Sequence, residues 1–266
     1  MPAARNNLVN YGAEGGVAVV TLNDPPDNAA TFEMMKELDE AILEARFDSD
    51  VHAVIITGAG ERFFSNGTNL EVLRQVDETF AYYYFLHMHE TLQRLENTPK
   101  LVVAAINGQC MGAGLELALA CDLRLGRRGA GKVGLTEVRQ GLMPGAGATQ
   151  RLPRLLGQAR ALALLIEGDA YDMDHAQSLG LLHRVIDAPP AVFLGQVVEM
   201  TRQFGPPQRS AQAIGRIKRA VRASGEGSLD LGLAMERELH LGQLSTDDAI
   251  VGLGVPSPRR GPTSRR

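Results

Sequence analysis

The stretch from Leu101 to Leu125 constrains this chain more than any other. It is the most apolar part of the sequence, yet Asn107, Gln109, Glu116 and Asp122 interrupt it. Charge at bilayer depth is costly, so the stretch reads as buried core rather than a membrane span. Leu101-Val102-Val103-Ala104-Ala105-Ile106 suits a buried strand in length and composition. Asn107-Gly108 turns the chain, and Gly112-Ala113-Gly114 opens a helix running from Leu115 to about Ala120. The first N–H groups of a helix lack internal partners, and that end carries partial positive charge. It is therefore a ready site for developing negative charge. Glu116 falls in the first turn, among Leu115, Leu117, Ala118 and Leu119. A carboxylate there is paired, set against the helix dipole, or functional, because burying it alone is expensive.

The rest of the chain builds around this stretch. Val17 to Leu22 is a β-rich run closed by the turn formers Asn23 to Asn28. Phe32, Met35, Leu38, Ile42 and Ala45 recur at helical spacing, and Ala53 to Thr57 is a second short apolar run stopped by Gly58-Ala59-Gly60. Residues 61–69 read as a loop and about 70–95 as mostly helical. Asp122–Leu125 and Lys132–Leu135 read as short strands, and helix patterns run from the Gly141–Gly147 loop to about Leu182. Alternating strands and helices indicate an α/β architecture. Beyond Pro206-Pro207 the strand signal vanishes, and Ala211–Ala223 and Leu229–Leu241 read as two helices. We therefore expect a core over residues 1–205, a helical segment over 206–255, and a disordered tail over 256–266, rich in Pro, Gly, Ser and Arg.

Composition removes several classes of function. Net charge is −4 and Trp is absent, so nothing calls for nucleic acid or an anionic membrane. The N-terminus has no apolar run of the signal-peptide kind, which makes a cytoplasmic protein the default. Two cysteines, Cys110 and Cys121, without CxxC spacing read as buried thiols in a reducing compartment. His87 and His89 are two apart and the other histidines are scattered, so we expect no metal site. The run Tyr82-Tyr83-Tyr84-Phe85, with Leu70, Leu73 and Val76, reads first as core.

A second carboxylate, Glu137, sits in Gly134-Leu135-Thr136-Glu137-Val138, just before the loop Gly141-Leu142-Met143-Pro144-Gly145-Ala146-Gly147. By itself it is a surface residue beside a turn or half of an acid/base pair with Glu116. Arg62-Phe63-Phe64-Ser65-Asn66-Gly67-Thr68-Asn69-Leu70 reads as a turn after a buried strand.

Together these pieces resemble the enoyl-CoA hydratase/isomerase (crotonase) superfamily. The resemblance rests on Ala105 to Asp122, on Thr136-Glu137 with Gly141 through Pro153, and on Ala176-Gln177-Ser178-Leu179-Gly180-Leu181-Leu182 with Val185; it covers nearly all of residues 10–250. It implies a crotonase-like spiral of repeated ββα units with a C-terminal helical segment that trimerises, often into a hexamer. It implies an acyl-CoA substrate, with CoA part of the substrate and no separate cofactor. The thioester carbonyl would sit between the backbone N–H groups of Thr68 and Ala113, with Asn66, Gly67, Asn69, Leu70, Gly112 and Gly145 around the substrate. Glu116 would activate a water for attack at C3, and Glu137 would handle the proton that ends on C2. The region of the tyrosine run would lid the acyl pocket.

This chain departs from the family pattern in places. The loop usually reads Ala-Gly-Ala-Asp, and here it is Asn66-Gly67-Thr68-Asn69. Many relatives carry a basic residue in the turn after the first strand, whereas here that turn is Asp24-Pro25-Pro26-Asp27. Pro256 and Pro258 interrupt the last helix, with Arg259 and Arg260 the nearest cations. A carrier protein therefore stands beside CoA as the acyl carrier. Hydration of a 2-enoyl thioester is the leading expectation, because both glutamates are present. A Δ3-Δ2 isomerase, a thioester decarboxylase or hydrolase, and a catalytically silent assembly protein are the alternatives.

Overall fold

The structure is a computed structural model that describes residues 7–254. The N-terminal six residues and the tail expected to be disordered, with Pro256, Pro258, Arg259 and Arg260, lie outside the described residues.

The apolar runs become a six-stranded sheet of β1 (Val9–Glu14), β2 (Val17–Leu22), β3 (Ala53–Gly58), β5 (Leu101–Ile106), β7 (Leu123–Arg127) and β10 (Arg184–Ile186), in that spatial order. β1 and β2 form an antiparallel hairpin, and every other neighbouring pair is parallel. Alternate residues explain the unbroken apolar sequence. Val54, Ile56, Val102 and Ala104 join one core, while Ala53, Ile55, Leu101 and Val103 join another on the opposite face. A parallel strand covered on both faces has no polar side to show. α1 (Phe32–Phe47), which caps on Thr31, packs its Met34, Met35, Leu38 and Ile42 into the first core; α8 (Pro190–Arg202) supplies Phe193 and Val197 to the second.

Three strands of this sheet, β3, β5 and β7, each continue into a short strand of a second sheet. β4 (Phe63–Ser65), β6 (Gln109–Met111), β8 (Lys132–Gly134) and β9 (Ala170–Asp172) lie in that order, the first three parallel. After β4 come α2 (Leu70–Gln75) and α3 (Glu78–Glu96); after β6 comes α4 (Ala113–Ala120); after β8 come a 3-10 turn (Glu137–Gln140), α5 (Ala148–Leu156) and α6 (Gln158–Glu167). These are the repeated ββα units that the resemblance implies. Asn107 fixes one corner between the sheets. Its Oδ1 accepts from Gly58 N–H at 3.0 Å and its Nδ2 donates to the Gly58 and Gly60 carbonyls, both at 2.8 Å. A Cβ on Gly108 would stand 2.5 Å from Phe63 N, so only glycine permits that close approach.

The structure corrects several local readings. The 61–69 loop contains β4, and β1, β6 and β9 were not legible as strands. β4, β6 and β9 are three residues long, too short for alternation to register, and the six-residue β1 buries no residue fully, so no apolar run marks it. The 70–95 helix is two helices, broken at Val76-Asp77, where the Asp77 side chain caps α3 by accepting from Phe80 N–H at 2.8 Å. Beyond Pro207, α9 (Ala211–Ala223), α10 (Leu229–Leu244) and α11 (Asp247–Gly252) follow α7 (Met173–Ser178) and α8 with no further strand among the described residues. No helix among the described residues is long and apolar enough to cross a membrane.

Candidate active site

The site forms where β4, β6 and β8 of the second sheet hand over to helices. Gly112, between β6 and α4, has φ +52°, and a Cβ there would stand 3.1 Å from Oε1 of Glu137. The backbone angle therefore favours glycine, and a side chain there would crowd the Glu137 carboxylate. Gly114 serves a different purpose, because a Cβ there would meet the Ser65 carbonyl oxygen at 2.5 Å. The small residues that open the helix thus admit neighbouring backbone and the second carboxylate.

Glu116 follows in the first turn of α4 and is 1 % exposed. Its Oε1 accepts from Ala146 N–H at 2.9 Å and from Ala148 N–H at 2.8 Å. Burial raises its pKa, while those two N–H groups and the Arg151 charge oppose the rise. The glycine-rich loop before α5 is therefore the cradle of this carboxylate. Arg151, one turn into α5, holds the loop from behind, donating from Nη1 to the Ala146 carbonyl at 2.7 Å.

Glu137 approaches from the 3-10 turn after β8. Burial and the neighbouring Glu116 charge push its pKa up to about 7, against one opposing bond from its own N–H. Its Oε2 is buried and has no hydrogen-bond partner among the described residues. That oxygen therefore retains its hydrogen-bonding capacity unused.

The loop after β4 supplies the third part. Gly67 has φ +90°, and a Cβ there would stand 2.8 Å from the Met111 carbonyl oxygen and 3.1 Å from Ala113 N. The loop and the start of α4 thus lie side by side. The Gly67 carbonyl accepts from Ala30 N–H at 2.8 Å. In a trans peptide the following N–H points the opposite way, so this bond turns the Thr68 N–H away from Ala30. Neither the Thr68 nor the Ala113 N–H has a partner among the described residues. Buried Tyr84, on α3, braces the same peptides by donating its hydroxyl to the Ala30 carbonyl. Burial raises the Tyr84 pKa and the Thr68 hydroxyl beside it opposes the rise, so the Thr68 side chain faces the brace.

The structure brings Glu116, Glu137, Gly112, Ala113, Gly67 and Thr68 together. Asn66 lies at the exposed rim, donating from Nδ2 to Asp27 Oδ2 at 2.8 Å. The Asn69 side chain caps α2, accepting from Glu71 and Val72 N–H at 3.0 and 3.3 Å. An Asn caps a helix about as well as an Asp, so the departure from the usual loop preserves the local structure. Leu70 opens α2, partly exposed. Gly145 lies under Phe85, whose Cε1 would be 2.7 Å from a Cβ at that position. The tyrosine run is not uniformly core: Tyr84 is buried, whereas Tyr82 and Tyr83 are exposed. Sequence reasoning missed roles for Ala30, Tyr84, Ala146, Ala148 and Arg151. Arg151 carried one signal, a fixed charge inside the Gly141–Pro153 stretch on which the resemblance rests.

Comparison with known proteins bears on the family and the fold. The enoyl-CoA hydratase/isomerase family model matches residues 12–255. A short-chain-enoyl-CoA hydratase from Clostridium acetobutylicum is 34 % identical over 244 residues, 91 % of each chain. Among solved structures, an enoyl-CoA hydratase from Geobacillus kaustophilus superposes with a TM-score of 0.89 at 34 % identity, over 94 % of both chains. One from Bacillus anthracis gives 0.87 at 30 % identity, covering 93 % of this chain and 95 % of that one. By a family match over nearly all its length and relatives above 30 % identity, the chain belongs to the enoyl-CoA hydratase/isomerase family.

Proposed function

We propose that this chain adds water across the double bond of a 2-enoyl-CoA, giving a 3-hydroxyacyl-CoA, and catalyses the reverse. One observation carries the reading: two electrostatically coupled carboxylates, Glu116 and Glu137, stand beside two backbone N–H groups without partners among the described residues. The Thr68 and Ala113 N–H groups would hold the thioester oxygen as it gains charge. Glu116 would take a proton from water as the oxygen bonds to C3, and Glu137 would give a proton to C2. One proton is taken and one given, so net addition is one water and no redox group is needed. The two environments suit these roles. Burial raises the pKa of both, but at Glu116 two N–H bonds and the Arg151 charge oppose the rise, whereas Glu137 has only its own N–H and keeps its proton to about pH 7.

The relatives named as hydratases support this reading, and the pair of carboxylates favours it over an isomerase, which can run on one. Two free buried thiols, Cys110 and Cys121, fit a reducing compartment such as the cytoplasm. We also propose assembly into a trimer or a hexamer through the C-terminal helices, where Ile217, Val221, Leu229 and Leu231 are exposed. The test is incubation with 2-enoyl-CoAs of increasing chain length, following loss of the conjugated thioester absorbance and the product mass. A 3-hydroxyacyl product supports the proposal. No loss at any chain length, with CoA or carrier-protein thioesters, overturns it.

A further inference from the structure

We infer that Arg151 is the positioning residue of the Glu116 carboxylate, and that Glu96 and Arg222 carry this positioning to the C-terminal helix α9. The inference rests on the proposed role of Glu116 and extends it to groups remote from the reacting atoms. A nearly continuous chain of polar contacts supports it. Arg151 grips Glu96, at the end of α3, through two parallel bonds of 2.9 and 2.8 Å. Its third nitrogen, Nη1, holds the Ala146 carbonyl at 2.7 Å, and the Ala146 N–H holds Glu116. On the other side, Glu96 Oε1 lies 2.9 Å from Arg222 of α9. Arg222 reaches Asp122 at 3.4 Å, and Asp122 is tied to Lys218 of the same helix at 2.7 Å.

The arrangement is built rather than incidental. A planar guanidinium bidentate on a carboxylate fixes an orientation that a lysine cannot reproduce. The Arg151 and Glu96 side chains are each 16 % exposed, so solvent does little to screen them. Burial alone would raise Glu96, but the bonds from Arg151 and Arg222 outweigh it and hold its pKa below the ordinary range. Gly147 leaves the space, since a Cβ there would collide with Arg151 Nη1. The charged group that acts on Glu116 is then Arg151 from α5, and Glu116 in turn acts on Glu137 of the 3-10 turn. Removing Arg151 would free the 145–148 loop and withdraw the cation that opposes protonation of Glu116.

The experiment compares wild type, Arg151→Met, Arg151→Lys and Arg222→Met. It reads hydration kinetics against pH and, separately, a carbon-13 NMR titration of the Glu116 carboxyl, which needs no turnover. In Arg151→Met we expect kcat to fall about 10²-fold, the loss typical of a reacting group displaced by about an ångström. KM should stay within about threefold and the Glu116 titration should move to higher pH. Arg151→Lys should recover most of the titration shift but little of the lost rate, and Arg222→Met should show the same signs with smaller size. An unmoved Glu116 titration in Arg151→Met overturns the inference, whatever the activity. If Arg151→Met does not fold, Arg222→Met decides, and an unchanged kcat and titration in it overturn the inference. A moved titration in a protein that hydrates no thioester leaves the positioning in place and overturns the hydratase reading instead.

Discussion

Glu137 is a half-buried carboxyl next to another carboxyl, and its pKa of about 7 places its titration in the working range of a proton donor. The alkaline limb of kcat/KM is therefore expected near pH 7, reported by the pair rather than by either group alone. Glu116→Gln and Glu137→Gln should each slow turnover by about 10²–10⁴-fold, the usual worth of a positioned acid or base, with the fold retained by circular dichroism. Stability supplies a second reading of Glu137. Its folded pKa lies above the unfolded value of 4.5, so its contribution is fully present below pH 4.5 and is lost as pH rises through about 7. Glu137→Gln removes that loss. Urea denaturation should find the variant stabilised by roughly 1–2 kcal/mol at pH 8, after allowance for solvent screening, and by much less at pH 4.5. A gain of equal size at both pH values would count against the assigned direction.

At the scale of elements, the oxyanion-hole candidates depend on how one loop docks on one helix. Gly67→Ala would put a methyl 2.8 Å from the Met111 carbonyl at a backbone angle that side chains rarely adopt. Thr68 and Ala113 should move apart, slowing turnover by about 10²-fold or more and destabilising the fold by more than about 1 kcal/mol. Steady-state kinetics and thermal melting of the same variant check both. The cap of α2 gives a milder contrast. Asn69→Ala removes the acceptor for the Glu71 and Val72 N–H groups and should cost about 1 kcal/mol in denaturant titration. Asn69→Asp keeps it and should be neutral or slightly stabilising, since a negative charge suits a helix N-terminus.

Across the whole molecule, one largely parallel sheet separates two cores, and the catalytic candidates all lie beyond its central strands, where the second sheet meets the helices. Phe193 of α8 is buried in the second core, with Val197 one turn further along the same helix. Phe193→Ala should cost about 3–5 kcal/mol in stability while leaving KM of the surviving folded protein near that of wild type. Sedimentation at micromolar concentration should give a mass several times that of one chain. A monomer there would leave Ile217, Val221, Leu229 and Leu231 exposed to water and would count against trimer formation.

The strands β2, β3 and β5 and the helices α1, α9 and α10 were legible because each carries its own period or an apolar run, whereas the short α11 was not. Glu116 was legible as an anomaly, a charge where charge is costly, and Glu137 only through the resemblance of the motif around it. Of the three-residue strands only β8 was legible; β4, β6, β9 and β10 were not, since their pairing comes from spatially adjacent turns of the spiral rather than from their own residues. Nor was the cradle of Glu116, because Ala146 and Ala148 act through backbone N–H groups that no side chain advertises. The tertiary structure alone decided that Glu96, Arg151 and Arg222, spread over more than 120 positions of sequence, form one ion-pair chain. Sequence determines which segments must be buried, because burial follows locally from residue type and spacing. Which charges meet depends on how those segments stack, and that is set by the packing of the whole chain.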